Sequence, residues 1–193
     1  ASGALKTTAV ALFKIANDIR FLASGPRCGL GELQLPAVQP GSSIMPGKVN
    51  PVMAESLMQV CAQVVGNDAT ITLGGLSGNF ELNVMMPVMA HNLLQSIDLL
   101  ANVIGQFNER CLQGLVADRE RCEGLIEESL AMCTALAPVI GYDRAAAIAK
   151  QAHESGQTVR QVALAEQVLA EEELNRLLDP RPMTEAGIPG KTR

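Results

Sequence analysis

The feature that most limits the possible folds is a long run of apolar residues at helical spacing. From about residue 82 to residue 112, apolar side chains recur at steps of three and four, as on one face of an α-helix. Leu94 and Leu99 widen this stripe, and a helix with so broad an apolar surface needs packing partners on more than one side. We therefore expect a bundle of long helices. The stripe consists of Met86, Met89, Leu93, Ile97, Leu100, Ile104, Phe107 and Cys111.

Two further segments show the same periodicity. Residues 4 to 23 predict a helix that ends at Ser24-Gly25-Pro26. Another helix is predicted to begin at Asn50-Pro51, because Asn is a favourable N-cap and Pro is favoured at the first helical position. Three helices cannot cover this much apolar surface by themselves. We expect the remaining helices to come from additional sequence or from other subunits.

A change in composition near residue 117 predicts a domain boundary. Shorter and more charged helical segments follow, at about 119 to 136, 143 to 154, 158 to 167 and 171 to 178. Thr158 and Gln161 have the spacing of a capping box, and the tail from 180 to 193 is expected to be loosely ordered. The predicted fold is all-α. A long-helix bundle segment of three helices (1–116, including an irregular segment at 24–50) precedes a small helical C-terminal domain (117–193).

Composition excludes several classes of function. The net charge is −5 and no basic patch is interleaved with aromatic residues, so nucleic-acid binding is not expected. No run of 18 residues is free of polar side chains, so no membrane span is expected. The five cysteines are odd in number and contain no C-x-x-C pair, so neither a disulfide framework nor a metal site is indicated. We expect buried, reduced thiols, as in a cytosolic protein.

The stretch GSSIMPGKVNP, Gly41 to Pro51, superficially resembles a phosphate-binding loop. That motif requires four residues between its glycines and a hydroxyl after the lysine. Here five residues separate Gly41 from Gly47, and Val49 follows Lys48. The preceding residues are interrupted by prolines, so no strand leads into the loop. A nucleotide site is therefore disfavoured.

The same residues are suited to binding a small carboxylate. Lys48 provides a positive charge, and Asn50 provides hydrogen bonds at a predicted helix start, where backbone N–H groups attract anions. A serine hydroxyl becomes a useful base only where nearby donors and cations stabilise its alkoxide. An ordinary surface loop can have the same composition, with Lys48 solvated and Asn50 acting only as a cap. The residues alone leave both interpretations open.

The loop resembles the signature G-S-S-x-M-P-x-K-x-N-P of the fumarase/aspartase superfamily. The flanking stretches KIANDIR, SGPRCGLGEL, QVVGND and SGNFELNV extend the resemblance, and GQTVRQVAL with EEELNRLLDP is similar to the family's small C-terminal domain. Gly47 and SGNFELN are more similar to class II fumarases, the iron-independent type, than to aspartases. The resemblance implies reversible hydration of fumarate to (S)-malate without a metal or a cofactor. An aspartase-type ammonia lyase and a non-catalytic helical assembly module remain alternatives.

The resemblance also implies a role for each residue of the loop. Ser42 would be the base that takes the C3 proton of malate, and Glu55 would pair with a histidine that handles the departing hydroxyl. The substrate would be bound by Ser43, Lys48, Val49 and Asn50.

The family's active-site histidine lies in a Thr-His segment, and neither His91 nor His153 occupies such a segment. The chain therefore resembles the C-terminal two fifths of a fumarase and is expected to be inactive alone. Family members are homotetramers whose active sites combine segments from three subunits, and they are cytoplasmic, or in the mitochondrial matrix in eukaryotes. Gln167 stands where relatives often have Gly, which predicts a lengthened or shifted helix.

Overall fold

A computed structural model describes residues 1–186, and the chain divides into two compact units. The first comprises Ala1–Asp118 and the second begins at Arg119. The boundary predicted from composition, after residue 116, lies two residues before this division. The predicted helical class is confirmed, because the regular structure of both units is helical apart from one small two-stranded sheet.

Three long helices form the first unit: α1 (Ser2–Leu22), α2 (Val52–Leu76) and α3 (Met86–Arg110). Helix α2 packs along both α1 and α3, which touch each other little. The core between them combines small residues, which allow close approach of the helices, with larger apolar ones. It consists of Ala9, Ala16, Ala54, Leu57, Cys61, Val64, Leu100, Val103, Phe107 and Cys111.

Helix α3 begins later than its apolar stripe predicts because a turn joins it to α2. The Asn83 amide donates to the carbonyls of Gly74 and Ser77 at 3.0 and 3.1 Å, and its Oδ1 accepts from Met85 N at 2.8 Å. This side chain therefore binds two carbonyls at the end of α2 and one N–H at the start of α3. Pro87 lies in the first turn of α3, where its missing N–H costs no hydrogen bond.

Polar side chains join α2 to both neighbouring helices. Asn67 is buried and its amide bonds to several groups of α3. Asp68 is also buried and accepts from Lys6 Nζ at 2.5 Å and Ser2 Oγ at 2.6 Å. These two donors hold the pKa of the Asp68 carboxyl below its ordinary value, against the opposing effect of burial.

The outer faces of the three helices carry large exposed apolar side chains. Their exposure confirms that the stripes are wider than this unit buries, as the sequence predicted. They are Val10, Phe13, Ile15, Phe21, Val65, Leu73, Leu76, Met86, Leu94, Ile97 and Ile104. In the described residues, no helix is both long and apolar enough to cross a membrane.

A short sheet, which periodicity did not predict, closes the first unit. Strand β1 (Leu33–Gln34) lies in the segment between α1 and α2, and it pairs antiparallel with β2 (Val116–Ala117). A 3-10 turn at Leu112–Gly114 connects α3 to β2. Strands of two residues are too short for an alternating pattern to be visible in a sequence.

Within residues 119–186, the second unit contains five helices: α4 (Arg119–Glu128), α5 (Ala137–Ile140), α6 (Tyr142–Ser155), α7 (Val159–Ala165) and α8 (Glu171–Leu177). The predicted helix at 119–136 is interrupted, because the Ser129 side chain accepts from Ala131 N and starts a 3-10 turn at Leu130–Ala135. The Thr158–Gln161 capping box is confirmed at the start of α7. The core of this unit includes Leu136, Ile148, Ala152, Val159, Val162, Leu174 and Leu178.

Of the two expectations for Gln167, a lengthened or a shifted helix, the lengthened helix is wrong. Helix α7 ends at Ala165, and Gln167 has a φ of 52°, in the left-handed region. Gln167 N donates to the Leu164 carbonyl at 3.0 Å and Val168 N donates to the Ala163 carbonyl at 3.1 Å. This is the Schellman pattern that ordinarily favours glycine. The glutamine therefore adopts the turn conformation instead of extending the helix.

Two further expectations, of buried thiols and of a loosely ordered tail, can be compared with the described residues. Only Cys61 and Cys111 are buried, where burial raises the pKa of their thiols, whereas Cys28 in the irregular segment is exposed. The tail expected to be loose contains a 3-10 turn at Arg181–Thr184, and residues 187–193 lie outside the described part of the chain.

Candidate active site

The loop Gly41–Pro51 lies between β1 and α2, and its two ends are hydrogen-bonded to each other. Gly41 N donates to the Lys48 carbonyl at 2.8 Å. The Asn50 side chain donates from Nδ2 to the Gly41 carbonyl at 2.7 Å. Both polar groups of Gly41 are therefore occupied by the far end of the loop. We call this pair of contacts the neck of the loop.

Asn50 is not the N-cap that the sequence predicted. Helix α2 begins at Val52 with Pro51 in the cap position and no capping hydrogen bond from a side chain. The amide of Asn50 is instead used in the neck, which a capping rule cannot anticipate. Glu55 lies in the first turn of α2, half-buried, where a carboxylate is favoured by the helix dipole.

The neck leaves no room for a side chain at Gly41. A Cβ at this position would lie 2.4 Å from the Lys48 carbonyl oxygen and 2.7 Å from Asn50 N. Contacts this short to backbone atoms require the backbone itself to move. The glycine is therefore needed for close approach.

Ser42 follows the neck directly, and its hydroxyl oxygen faces backbone donors. Ile44 N and Met45 N donate to Ser42 Oγ at 3.1 and 3.0 Å. Two N–H groups that donate to one hydroxyl oxygen stabilise its deprotonated, negatively charged form, the alkoxide. Ser42 is half-buried, whereas Ser43 is exposed, so the two serines have different surroundings.

A pocket of about 480 Å³ adjoins the C-terminal end of the loop. Lys48, Val49 and Asn50 line it, together with Gln34 of β1 and Asp118 just after β2. Gln34 Nε2 donates to Asp118 Oδ2 at 3.3 Å, which ties this wall together. The structure thus brings three of the six predicted site residues into one pocket, whose lining includes the charged residues Lys48 and Asp118, while Ser42, Ser43 and Glu55 do not line it.

No described contact joins His91 to these residues, and His153 belongs to the second unit. His91 lies on α3 and His153 on α6, and both are exposed. No group of His, Cys, Asp and Glu in residues 1–186 is arranged to hold a metal ion.

Sequence reasoning missed the two backbone donors to Ser42, the neck, and the Gln34–Asp118 wall. The neck has a local signal, since a glycine directly after a proline indicates a tight turn. The wall has none, because its two residues are 84 positions apart in the chain.

Two family models match the chain. The model described as "Lyase" covers residues 1–66, and the one described as "Fumarase C C-terminus" covers residues 132–185. The loop Gly41–Pro51 lies inside the first match. The first match ends within α2, and the second falls within the second unit.

Curated relatives and solved structures are similar over nearly the whole chain. Fumarate hydratase 2 of Arabidopsis thaliana is 56% identical, with 94% of this chain and 36% of that protein covered. An aspartate ammonia-lyase of a Bacillus species is 51% identical, with 98% and 41% covered. The crystal structure of a class II fumarase from Schistosoma mansoni superposes with a TM-score of 0.89 at 41% identity, with 94% and 38% covered. The chain therefore spans about 40% of the length of the relatives that it matches.

Proposed function

The chain belongs to the fumarase/aspartase superfamily, and we propose that it is the part of a class II fumarase that carries the signature loop. The complete enzyme would catalyse the reversible addition of water to fumarate, giving (S)-malate. The observation that carries this proposal is the surroundings of Ser42, whose Oγ accepts from two backbone N–H groups. Sequence identities of 54–56% to several fumarate hydratases support it.

In the proposed reaction, Ser42 acts on C3 of malate. The deprotonated Oγ takes the C3 proton, and the electron pair left on carbon is delocalised into the adjacent carboxylate, which gains charge. The C2–O bond then breaks, and the histidine paired with Glu55 donates the proton with which the hydroxyl leaves as water. The donors at Ile44 N and Met45 N lower the cost of the alkoxide before this step.

Lys48 and Asn50 would bind the carboxylate that gains charge. Both line the pocket beside the loop, where Lys48 provides a positive charge and Asp118 a negative one. A fixed cation and an amide donor stabilise the intermediate, in which this carboxylate carries two negative charges, more than the substrate, in which it carries one, and this is the condition for accelerating the reaction. Ser43 and Val49, both exposed, would contact substrate when the loop closes over it.

Other segments must complete the site. Glu55 would orient a histidine supplied from outside residues 1–193, so we expect the isolated chain to have no hydratase activity. The exposed apolar faces of α1, α2 and α3 support burial against further helices, as in a homotetramer with shared active sites. No metal or cofactor has a place in the proposed mechanism. A cytoplasmic location, or the mitochondrial matrix in a eukaryote, is part of the same proposal.

The alternative function is that of an aspartase-type ammonia lyase, which the 51% identity to an aspartate ammonia-lyase favours. The two are separated by assaying the complete protein for fumarate formation from (S)-malate and from L-aspartate. The proposal expects fumarate from malate alone. Fumarate from aspartate alone would establish the lyase, and activity with neither would favour a non-catalytic assembly module.

A further inference from the structure

The neck joins the two halves of the candidate site through a single glycine. Gly41 N binds the Lys48 carbonyl, and the Gly41 carbonyl binds the Asn50 amide, at 2.8 and 2.7 Å. Ser42 is the next residue after this locked position. The neck therefore determines where the backbone of Ser42 lies relative to the backbone of Lys48.

The neck is also attached to a rigid helix. Val52 N donates to the Asn50 carbonyl at 2.8 Å, and α2 is anchored in the core from Ala54 and Leu57 onward. Between the two ends of the neck, Ser42 is half-buried and residues 43–47 are exposed. If this exposed tip closes over a substrate, it moves about the points where the loop is attached. The neck is such a point, so it determines where the tip lies after closure.

We propose that Asn50 is a positioning residue, whose side chain holds the neck closed and sets Ser42 against Lys48, in addition to any contact that it makes with substrate. This inference rests on the proposed function only for its catalytic consequence. Nδ2 of an asparagine carries two hydrogens. One can stay on the Gly41 carbonyl while the other binds a carboxylate, so the neck bond also orients the amide for the substrate.

Hydrogen exchange of the ligand-free protein tests the structural part directly. Asn50→Asp keeps the size of the side chain but removes its donor and places a carboxylate against the Gly41 carbonyl. Amide exchange in segment 41–48 is expected to rise at least about fivefold, the effect of one lost hydrogen bond, while α2 stays protected. Gln39→Glu, the same change in charge at an exposed amide of the same segment, is expected to leave segment 41–48 unchanged.

Two exchange results would overturn the proposal. Unchanged exchange of segment 41–48 in Asn50→Asp would mean that the amide does not hold the neck. Equal loss of protection in α2 would mean that Asn50 stabilises the whole unit and not the neck. Neither measurement depends on whether the enzyme hydrates fumarate, so a failure here is distinct from a failure of the proposed function.

The catalytic part is tested by Gly41→Ala in the complete enzyme. This change forces the backbone of the neck apart, but it removes neither the Lys48 nor the Asn50 side chain. The expected result is a kcat lowered at least about tenfold with KM changed less than about threefold, because carboxylate-binding groups remain while Ser42 is displaced. An unchanged kcat, or a raised KM with normal kcat, would show that the neck does not position Ser42.

Discussion

Replacing Asn67 by alanine tests how much the polar contacts between α2 and α3 stabilise the first unit. Its Oδ1 accepts from Gln63 Nε2 at 2.8 Å. Its Nδ2 lies at 3.0 Å from Gln95 Oε1 and from Ser96 Oγ, and at 3.3 Å from the Asn92 carbonyl. The amide has only two hydrogens for these three acceptors, so at most three full hydrogen bonds are lost on substitution.

The expected loss of stability follows from these contacts. Three hydrogen bonds at about 1 kcal/mol net give about 3 kcal/mol. Ser96 keeps its own bond to the Asn92 carbonyl at 2.8 Å, so no buried hydroxyl loses its only partner. The higher helix propensity of alanine returns about 0.6 kcal/mol. We therefore expect Asn67→Ala to lower the free energy of unfolding of the first unit by about 2 to 3 kcal/mol.

Urea unfolding at fixed protein concentration, followed by circular dichroism, measures this change. Asn102→Ala is the matched control, because Asn102 lies exposed on α3 and donates only to the Asp98 carbonyl one turn earlier. The control is expected to change stability by less than about 0.5 kcal/mol. If the Asn67 variant loses no more than the control, the buried amide does not hold α2 to α3 and the reasoning fails.

Three other substitutions have defined outcomes. The lowered pKa of Asp68 means that its bond with Lys6 stabilises the fold above the ordinary value of 3.8 and is lost as the pH falls through the lower folded value. Lys6→Met is expected to flatten the acid limb of a stability–pH curve, and an unchanged limb would contradict this. Gln167→Gly is expected to raise the unfolding free energy of the second unit by up to about 1 kcal/mol, since glycine adopts a positive φ freely. A thermal melt with a lower midpoint would contradict this. Lys48→Ala in the complete enzyme is expected to raise KM and lower kcat together, and unchanged steady-state kinetics would remove Lys48 from the carboxylate site.

The long helices were predictable because burial of one helix face makes apolar residues recur about every 3.6 positions, and this period is visible in the sequence. Their ends were less predictable, because side chains compete for the terminal backbone groups. Asn83 delays the start of α3 and Ser129 interrupts the predicted helix at 119–136. At Gln167, backbone hydrogen bonds of the turn after α7 impose a left-handed conformation, which a glutamine adopts less readily than a glycine.

The sequence predicted which residues form the candidate site, but it did not predict the contacts that those residues make. The motif identified Ser42, Lys48 and Asn50 as suited to carboxylate chemistry. The backbone donors to Ser42 and the neck depend on how the loop folds back on itself, which residue types do not reveal. The wall formed by Asp118 depends on the pairing of two short strands far apart in the chain.

The kinetics of Ser42→Ala in the complete enzyme decide whether Ser42 is the base of a hydratase. The assay compares kcat for (S)-malate with the dissociation constant of a dicarboxylate that cannot react. The account predicts that kcat falls by about 10²- to 10⁴-fold, as for loss of a general base, while the dissociation constant changes little. A variant that retains kcat within about threefold of the parent would show that another residue abstracts the proton.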